Sequence, residues 1–429
     1  MMFNDVPVPH LTTAHSGPLF PVEAVILNHV TTIEAWFRTV WAKTPAPIMS
    51  SVDLRHAGYK LAPVDTNLFP GGFNNLNTDF MPMCVQAVQS TLGSHCTRIL
   101  LIPESHTRNR FYMQSVAVLR DIFAKAGFIV RLGTLDPTVT LPVEVTTEQG
   151  DSLLFEPLVR RGNKVGLADF DPCLLLLNND LSTGVPEILQ NVSQRIEPAT
   201  QLGWASRRKS VHFDFYNEVV TEFAQLVNLD PWFINPFFRV NEGVDFMLRT
   251  GVDNVAHDVD QVLASIRDKY ATYGITEKPF VVVKADNGTY GMSVMMVQDG
   301  AQLLQLNRKQ RTGMSTTKGS QKVSQVLIQE GVYSFETVTD GAVAEPVVYM
   351  LGQFVVGGFY RVHRDRGIDD NLNAPGMHFE PLAFAEACNM PSSKLKAVDA
   401  PNRFYAYGVI ARLAALAAAR EVAAIGSVV

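Results

Sequence analysis

The segment Phe280–Val297, FVVVKADNGTYGMSVMMV, limits what this chain can fold into more than any other stretch. A β-branched run ends in Lys284, a loop with two glycines follows, and a second apolar run, Tyr290–Val297, returns. Such runs favour strands, so the segment predicts a β-hairpin with a lysine at the end of its first strand. A lysine ammonium beside a glycine loop suits a polyphosphate. It supplies a point charge, and glycines let backbone N–H groups approach oxygens. An ordinary hairpin with a snorkelling lysine accounts for the same residues. The segment is not a P-loop, because GxxxxGK[ST] is missing, and no GxGxxG opens a helix.

The flanking chain predicts alternating strands and helices. Arg98–Pro103 reads as a buried strand, Asn109–Ala126 as a helix ended by Gly127, and Phe128–Leu132 as the next strand. Cys173–Leu177 reads as a buried strand running into Asn178, Asn179 and Asp180, where an open α/β sheet usually binds ligands. Residues 96–205 therefore predict a doubly wound α/β domain. Helices are expected after Thr31, with Glu34 completing a capping box, around Phe215–Leu226 and around Val259–Tyr270. Gln325–Glu330, Pro346–Leu351 and Gln353–Arg361 read as strands, the last two joined by a tight turn at Gly352.

With 429 residues the chain has room for about three domains. Hydrophobic residues at 47% and charged residues at 18% exclude a disordered chain. A net charge of −6 gives no footprint for nucleic acid. Cys84, Cys96, Cys173 and Cys388 are scattered without a CxxC pair, which suggests neither a zinc ribbon nor a disulfide scaffold and fits a reducing compartment. Cys173, within an apolar run, is expected in the core. The N-terminus has no secretory pattern, and the Ala-rich segment Tyr405–Val429 is interrupted by Arg412, Arg420 and Glu421. A buried terminal helix and a cytoplasmic protein, without membrane or nucleic-acid partners, are expected. Oligomeric state is not legible.

The strand–loop–strand around Lys284 resembles that of ATP-grasp ligases, and other segments follow in the matching order. Ile328–Val332 resembles the hinge that meets adenine and ribose. A hairpin ends in Arg361, at the place of the arginine that stabilises transferring phosphate. Asp369–Gly376 is similar to the Asn-Leu-x-x-Gly loop of bacterial glutathione synthetase, and Lys209 to that enzyme's first nucleotide lysine. The resemblance implies ATP on Lys209, Lys284, Asn287, Gly288, Tyr290, Gly291, Gln329, Glu330 and Val332, with Lys284 and Arg361 catalytic.

Upstream, Asp53, Arg55, Lys60, Asp65, Asn67, Asn74 and Asn75 crowd into a short Gly/Pro-broken stretch with Leu61, Leu68, Phe69 and Phe73. Arginine can grip a carboxylate bidentately, and Asp or Asn can hold an amino group. A long surface loop using Asn and Gly for turns is the alternative. This stretch, the Lys284 segment and the overall length resemble the ATP-grasp-type glutamate–cysteine ligase of some bacteria. That resemblance implies an α/β protein with an N-terminal substrate-binding region (1–95), a doubly wound domain (96–205) and an ATP-grasp domain (206–429). It implies that ATP, L-glutamate and L-cysteine give γ-glutamylcysteine, ADP and phosphate. Another ATP-grasp carboxylate–amine ligase and a non-catalytic nucleotide-binding module are the rival readings.

Charge gathers between two anions in that reaction, so Lys209, Lys284, Arg361 and Mg²⁺ are expected to neutralise it. Glu345, Asp370, Asn371 and Asn373 are the nearest hard oxygens for magnesium. The chain departs from the common ATP-grasp pattern here: after Gly376 come Glu380, Glu386, Asn389 and Asp399 but no Glu-x-Asn. An ordinary Asp/Asn turn accounts equally well for Asp369–Asn373. Glu104–Arg110 either caps the following helix or faces the ligand. Arg308, Lys309 and Arg311 read as a solvated loop or a phosphate-covering lid.

Overall fold

The computed structural model describes residues 11–93, 95–105, 109–287, 291–316, 322–338, 340–383 and 402–426. Strands β1 (Met49–His56) and β2 (Leu61–Asn67) come first. β3 (Arg98–Pro103), β4 (Ile129–Thr134), β5 (Val143–Thr146) and β6 (Ser152–Pro157) follow. A short hairpin, β7 (Val159–Arg161) and β8 (Lys164–Gly166), precedes β9 (Leu174–Asn178) and β10 (Arg195–Glu197). Next are β11 (Phe238–Glu242), β12 (Val281–Ala285), β13 (Val294–Val297) and β14 (Gln325–Glu330). β15 (Val343–Leu351), β16 (Phe354–His363) and β17 (His378–Pro381) complete the set. The helices are α1 (Pro21–Asn28), α2 (Val30–Trp41), α3 (Met81–Thr91), α4 (Arg110–Lys125) and α5 (Lys209–Val227). Then come α6 (Val252–Tyr273), α7 (Ala301–Leu304), α8 (Arg308–Gly313) and α9 (Phe404–Gly426).

Three sheets carry this mixed α/β structure. The first, in the order β17-β16-β15-β1-β2, joins strands from both ends of the chain. β1 pairs antiparallel with β15 and with β2, so residues 49–67 share a sheet with residues 343–381. The second, β10-β9-β3-β4-β6-β5, is parallel except for β5. The third, β11-β14-β12-β13, is antiparallel and contains the hairpin around Lys284.

Period-two alternation decides which side chains each strand gives to the core. In β12, Val281, Val283 and Ala285 are buried against α6 residues Val255, Val259, Val262, Leu263 and Ile266. Val282 and Lys284 therefore face the other way. In β1, Val52 and Leu54 enter the main core, which leaves Asp53 and Arg55 on the opposite face. α9 covers the core side of the first sheet with small residues such as Ala411, Ala414 and Ala417, all fully buried. A helix apolar on every side belongs in an interior, and alanines let it approach the sheet closely. Among the described residues no helix is long and apolar enough to cross a membrane.

Several expectations are corrected. The second sheet is parallel as expected, yet within 96–205 the described residues form one α-helix, α4, so the stretch is not wound with a helix after each strand. Cys96 and Cys173 form a disulfide, with Cα atoms 5.6 Å apart. Spacing could not reveal this, because their approach depends on the parallel pairing of β3 with β9. Cys173 is exposed, not core. Cys84 is a free, buried thiol, and Cys388 lies outside the described residues. The Thr31 capping box is absent: His29 is the N-cap of α2, and Glu34 pairs with Arg412 at 2.7 Å. Arg308, Lys309 and Arg311 belong to α8, not to a loop.

Candidate active site

The outward faces of the first and third sheets meet across a cleft. The third sheet contributes Val282 and Lys284 from β12, Val294 and Met296 from β13, and Gln329 from β14. The first contributes Asp53, Arg55, Asp65, Glu345 and Arg361, and the loop Asp369–Asn373 closes one side. This part is narrow, with a cavity of about 110 Å³. It opens into a wider cavity of about 700 Å³ that reaches the carboxyl ends of β3 and β9, through Glu104 and Asp180. Asp53, Asp65, Lys209, Gly291, Arg361 and Asn373 line both spaces and mark their junction.

Arg361 is the centre of that junction. β16 register places it directly opposite Glu345. Its Nη1 donates to Glu345 Oε1 at 2.5 Å and to Asp53 Oδ2 at 2.9 Å. Its Nε is buried and has no partner. Burial opposes the charge of Arg361, but Asp53 and Glu345 more than compensate and hold its pKa above the ordinary range. Burial likewise opposes ionisation of Glu345, and Arg55 and Arg361 overcome it, leaving that carboxyl below its ordinary range. Asp53 moves the other way. Burial raises it, and the neighbouring Glu345 and Asp65 add to the rise against Arg361.

The lysines converge from separate elements. Lys209 begins α5 and its Nζ lies 2.6 Å from Asp65 Oδ1. Lys284 Nζ donates to the Val64 carbonyl at 2.7 Å. Burial pushes the Lys284 ammonium down to about 8, partly opposed by Asp65, with Lys209 adding to the depression. Asp65 is held well below the usual carboxylate range: Lys209 and Lys284 outweigh its burial. Gly291, after the loop, has φ +72°. A Cβ there would lie 2.8 Å from the Asn373 carbonyl, so only glycine lets the two loops approach this closely.

The predicted residues separate on this geometry. Asn67, Asn74 and Asn75 line the wide cavity, and Asp53 and Asp65 both spaces. Arg55 lines the narrow cleft and is occupied there: Nε donates to Glu345 at 2.9 Å, Nη1 to the Val332 carbonyl at 3.2 Å, and Nη2 to the Asp370 carbonyl. It braces β1 against the hinge and the Asp369 loop, so a free bidentate grip on a substrate carboxylate is not its geometry. Lys60 also departs from expectation. It is 1% exposed, its Nζ lies 2.9 Å from Glu330 and 4.3 Å over the Trp232 ring, and it lines neither space. Glu330, expected on a ribose, lines the narrow cleft, and its carboxylate accepts from Trp232 Nε1 at 3.0 Å and the Phe237 N–H at 2.9 Å, as well as pairing with Lys60. Asn287 is buried, and Gly288 and Tyr290 lie outside the described residues. Glu345, Asp370, Asn371 and Asn373 are brought together along the cleft. Both oxygens of Glu345 already accept from guanidinium groups, and Asn371 Oδ1 accepts from the Asn373 N–H at 3.0 Å. Glu380 pairs with His378 at 3.2 Å, while Glu386, Asn389 and Asp399 lie outside the described residues.

Sequence reasoning missed Trp204, Tyr349, Phe359 and Phe379, all on the wall of the wide cavity. The last three sit in alternating strands, where they read as core. Asn109 does both jobs between which the sequence left a choice: its Oδ1 caps α4 by accepting from the Tyr112 N–H at 3.1 Å, and it lines the cavity.

Comparison with known proteins matches this architecture closely. A crystal structure of a candidate gamma-glutamylcysteine synthetase from Methylobacillus flagellatus KT, at 1.90 Å resolution, superposes with a TM-score of 0.86 and 54% sequence identity. The match covers 97% of this chain and 99% of that one. Far weaker likenesses are to D-alanyl-alanine synthetase A from Vibrio cholerae O1 biovar eltor (10% identity, TM-score 0.34, 75% of this chain and 82% of that one) and a glutathione synthetase-like effector from Globodera pallida (12%, 0.37, 89% and 88%). No curated protein sequence matches. A model of the glutamate–cysteine ligase family matches residues 23–422, and with the close solved relative it shows that the chain belongs to that family, enzymes that join glutamate to cysteine.

Proposed function

We propose that the ligation is driven by ATP in an ATP-grasp arrangement, with the nucleotide in the cleft between the first and third sheets and the amino acids in the wide cavity. The observation that carries this reading is Arg361. It stands where the two spaces meet, and it keeps a buried, unpartnered Nε donor beside a guanidinium otherwise held by Asp53 and Glu345. A buried donor without an acceptor is costly, and a phosphoryl or carboxylate oxygen at the junction supplies what is missing.

The surrounding residues support each part. Val282, Val294 and Met296 form apolar walls for a purine. Gln329 Nε2 is buried without a partner on the same cleft and suits a ring nitrogen. Lys209 and Lys284 suit the phosphates. The cleft is too narrow for a nucleotide until the Lys209–Asp65 and Lys284–Val64 contacts yield, so binding exchanges those contacts for phosphate oxygens. The γ-carboxylate of glutamate attacks the γ-phosphorus, ADP leaves, and the amine of cysteine then displaces phosphate from the acyl carbon. Lys284, Lys209 and Arg361 hold the charge that gathers in the first step.

Magnesium fits the donor set. Asp53 and Glu345 are carboxylates that share the Arg361 guanidinium, and both line the narrow cleft. Asp53, Glu345, Asp370, Asn371 and Asn373 are the hard oxygens that would hold it, with Glu345 giving up a guanidinium contact and Asn371 Oδ1 the Asn373 N–H. When bound, it would neutralise phosphate charge. The test is ADP release from purified protein with Mg²⁺ and ATP, omitting glutamate or cysteine in turn, with the product identified by mass. Release that needs both amino acids and yields γ-glutamylcysteine is expected. Release with a different amine would overturn cysteine as the acceptor, and ATP binding without turnover would overturn the catalytic reading.

A further inference from the structure

Behind β1, on the face away from the cleft, lies a second cluster of ligating side chains. His56 ends β1 and is fully buried. His15 comes from the segment before α1, and its ring meets that of His56 edge-on with centroids 4.7 Å apart. Glu336 lies before β15 and is also fully buried. One ligating atom from each of the three lies within 4.8 Å of the others. His15 Nε2 and His56 Nε2 are both buried without a partner.

The hydrogen bonds fix which nitrogen of His56 is bare. Tyr360 and Tyr407 reach the two oxygens of Glu336 at 2.5 and 2.8 Å. The single hydroxyl proton of Tyr407 is then spent on the carboxylate. With Glu336 ionised, the Tyr407 oxygen, 2.8 Å from His56 Nδ1, accepts, so Nδ1 carries the ring proton. Nε2 is left with a lone pair in a place where no donor meets it. An imidazole that donates its other nitrogen to an oxygen, while that oxygen's group braces a neighbouring carboxylate, has the outer-shell pattern of a metal ligand.

We propose that His15, His56 and Glu336 form a binding site for one divalent ion of the zinc type, separate from the ligation site. Two imidazoles and a carboxylate suit zinc and exclude a preference for magnesium, which takes oxygen ligands. Tetrahedral coordination sets ligand atoms roughly 3.4 Å apart, so the three would draw together by up to about 1.4 Å. Arg403 is the nearby charge that opposes a cation, and Glu23 holds it at 3.0 Å. Glu23 Oε1 is buried without a hydrogen-bond partner and 3.8 Å from His56 Nδ1, which adds a second carboxylate to the balance. The ion would tie residues 11–20 to the end of β1.

The test uses the full chain, stripped with a chelator and given Zn²⁺ or Co²⁺ with excess Mg²⁺ to fill oxygen-only sites. One zinc per chain retained through gel filtration is expected. Co²⁺ should give the intense visible bands of a four- or five-coordinate site, whereas an all-oxygen octahedral site gives only faint colour. His15→Gln, in a segment at the edge of the core, should weaken binding at least about tenfold, and Tyr407→Phe by about 10- to 100-fold. No retained zinc and only faint Co²⁺ colour in the wild type, or undiminished binding in His15→Gln, would overturn the site. Neither readout depends on turnover, so its failure and that of the ligation reading are distinct.

Discussion

Two regions of this molecule each bury a lysine, and burial pushes both ammonium groups down to about 8. Around Lys60 the environment is closed. Glu330 lies at 2.9 Å, the Asn235 carbonyl at 3.0 Å, and the Trp232 ring covers the ammonium. Around Lys284 it is open to the cleft, with the Val64 carbonyl at 2.7 Å and its strongest opposing charge, Asp65, already in contact with Lys209. The same depression therefore accompanies two different roles. A buried cation with its own carboxylate holds the fold, and one that shares its carboxylate with a second lysine is, in the function proposed above, the one that takes up a ligand's charge. The partner, not the size of the shift, separates them.

That contrast is open to direct attack. Lys60→Met should cost about 3–5 kcal/mol of stability, because it strands Glu330 as a buried unpaired charge. Urea unfolding measures this, and Lys60→Met/Glu330→Gln should recover much of the loss. A single variant as stable as wild type would erase the structural role given to Lys60. Next in size, Arg361→Lys should lower kcat about 10²- to 10³-fold, since a planar fork cannot be replaced by a point charge at the junction. Steady-state ADP release reads the effect, and an unchanged kcat would remove Arg361 from the transferring phosphate.

Lys284→Met should leave stability closer to wild type than Lys60→Met does, while ATP turnover falls. If the two variants lose stability equally, the distinction between closed and open lysines fails. Gln329→Leu should raise the KM for ATP about tenfold through one lost hydrogen bond, with kcat little changed.

The smallest expected effect is on pH. The folded pKa of Lys284, about 8, lies below its ordinary 10.5. Between those values the unfolded chain binds the proton and the folded one does not, so the Lys284 contribution to stability rises with pH from about 8 to 10.5. Function runs the opposite way, because above about 8 the cleft loses a positive charge and ATP affinity should decline. Lys284→Arg should move that alkaline limb upward. A limb that stays in place assigns it to another group, Lys60 first.

Much of the fold was legible because strand and helix periodicities are local. β3 and β14 lie where their apolar runs predict, α6 contains the helix expected around Val259–Tyr270, and the Gly352 turn joins β15 to β16. The candidate site was legible in part, through residue types that have no business in an apolar strand. Lys284 stood out for that reason, and Arg361 by its place in the order of segments that resemble ATP-grasp ligases. Asp53, Asp65 and Asn74 stood out by crowding, and the cavities include them. Crowding also misled: Lys60 and Arg55 share that stretch but turn to Glu330 and to Glu345. A one-residue step along a strand reverses the face, and a bulge in β2 between the partners of Asp53 and Leu54 shifts the count.

The sequence by itself determined most of the long elements and the family resemblance, because propensity, periodicity and motif order act over a few residues. Only the tertiary structure decided who faces whom. Register set Arg361 against Glu345, crossover pairing brought Cys96 to Cys173, and burial turned Lys60 inward while leaving Lys284 on the cleft. Those outcomes depend on residues tens to hundreds of positions apart. Their energies come from desolvation and charge pairing, which exist only once the chain has closed around them.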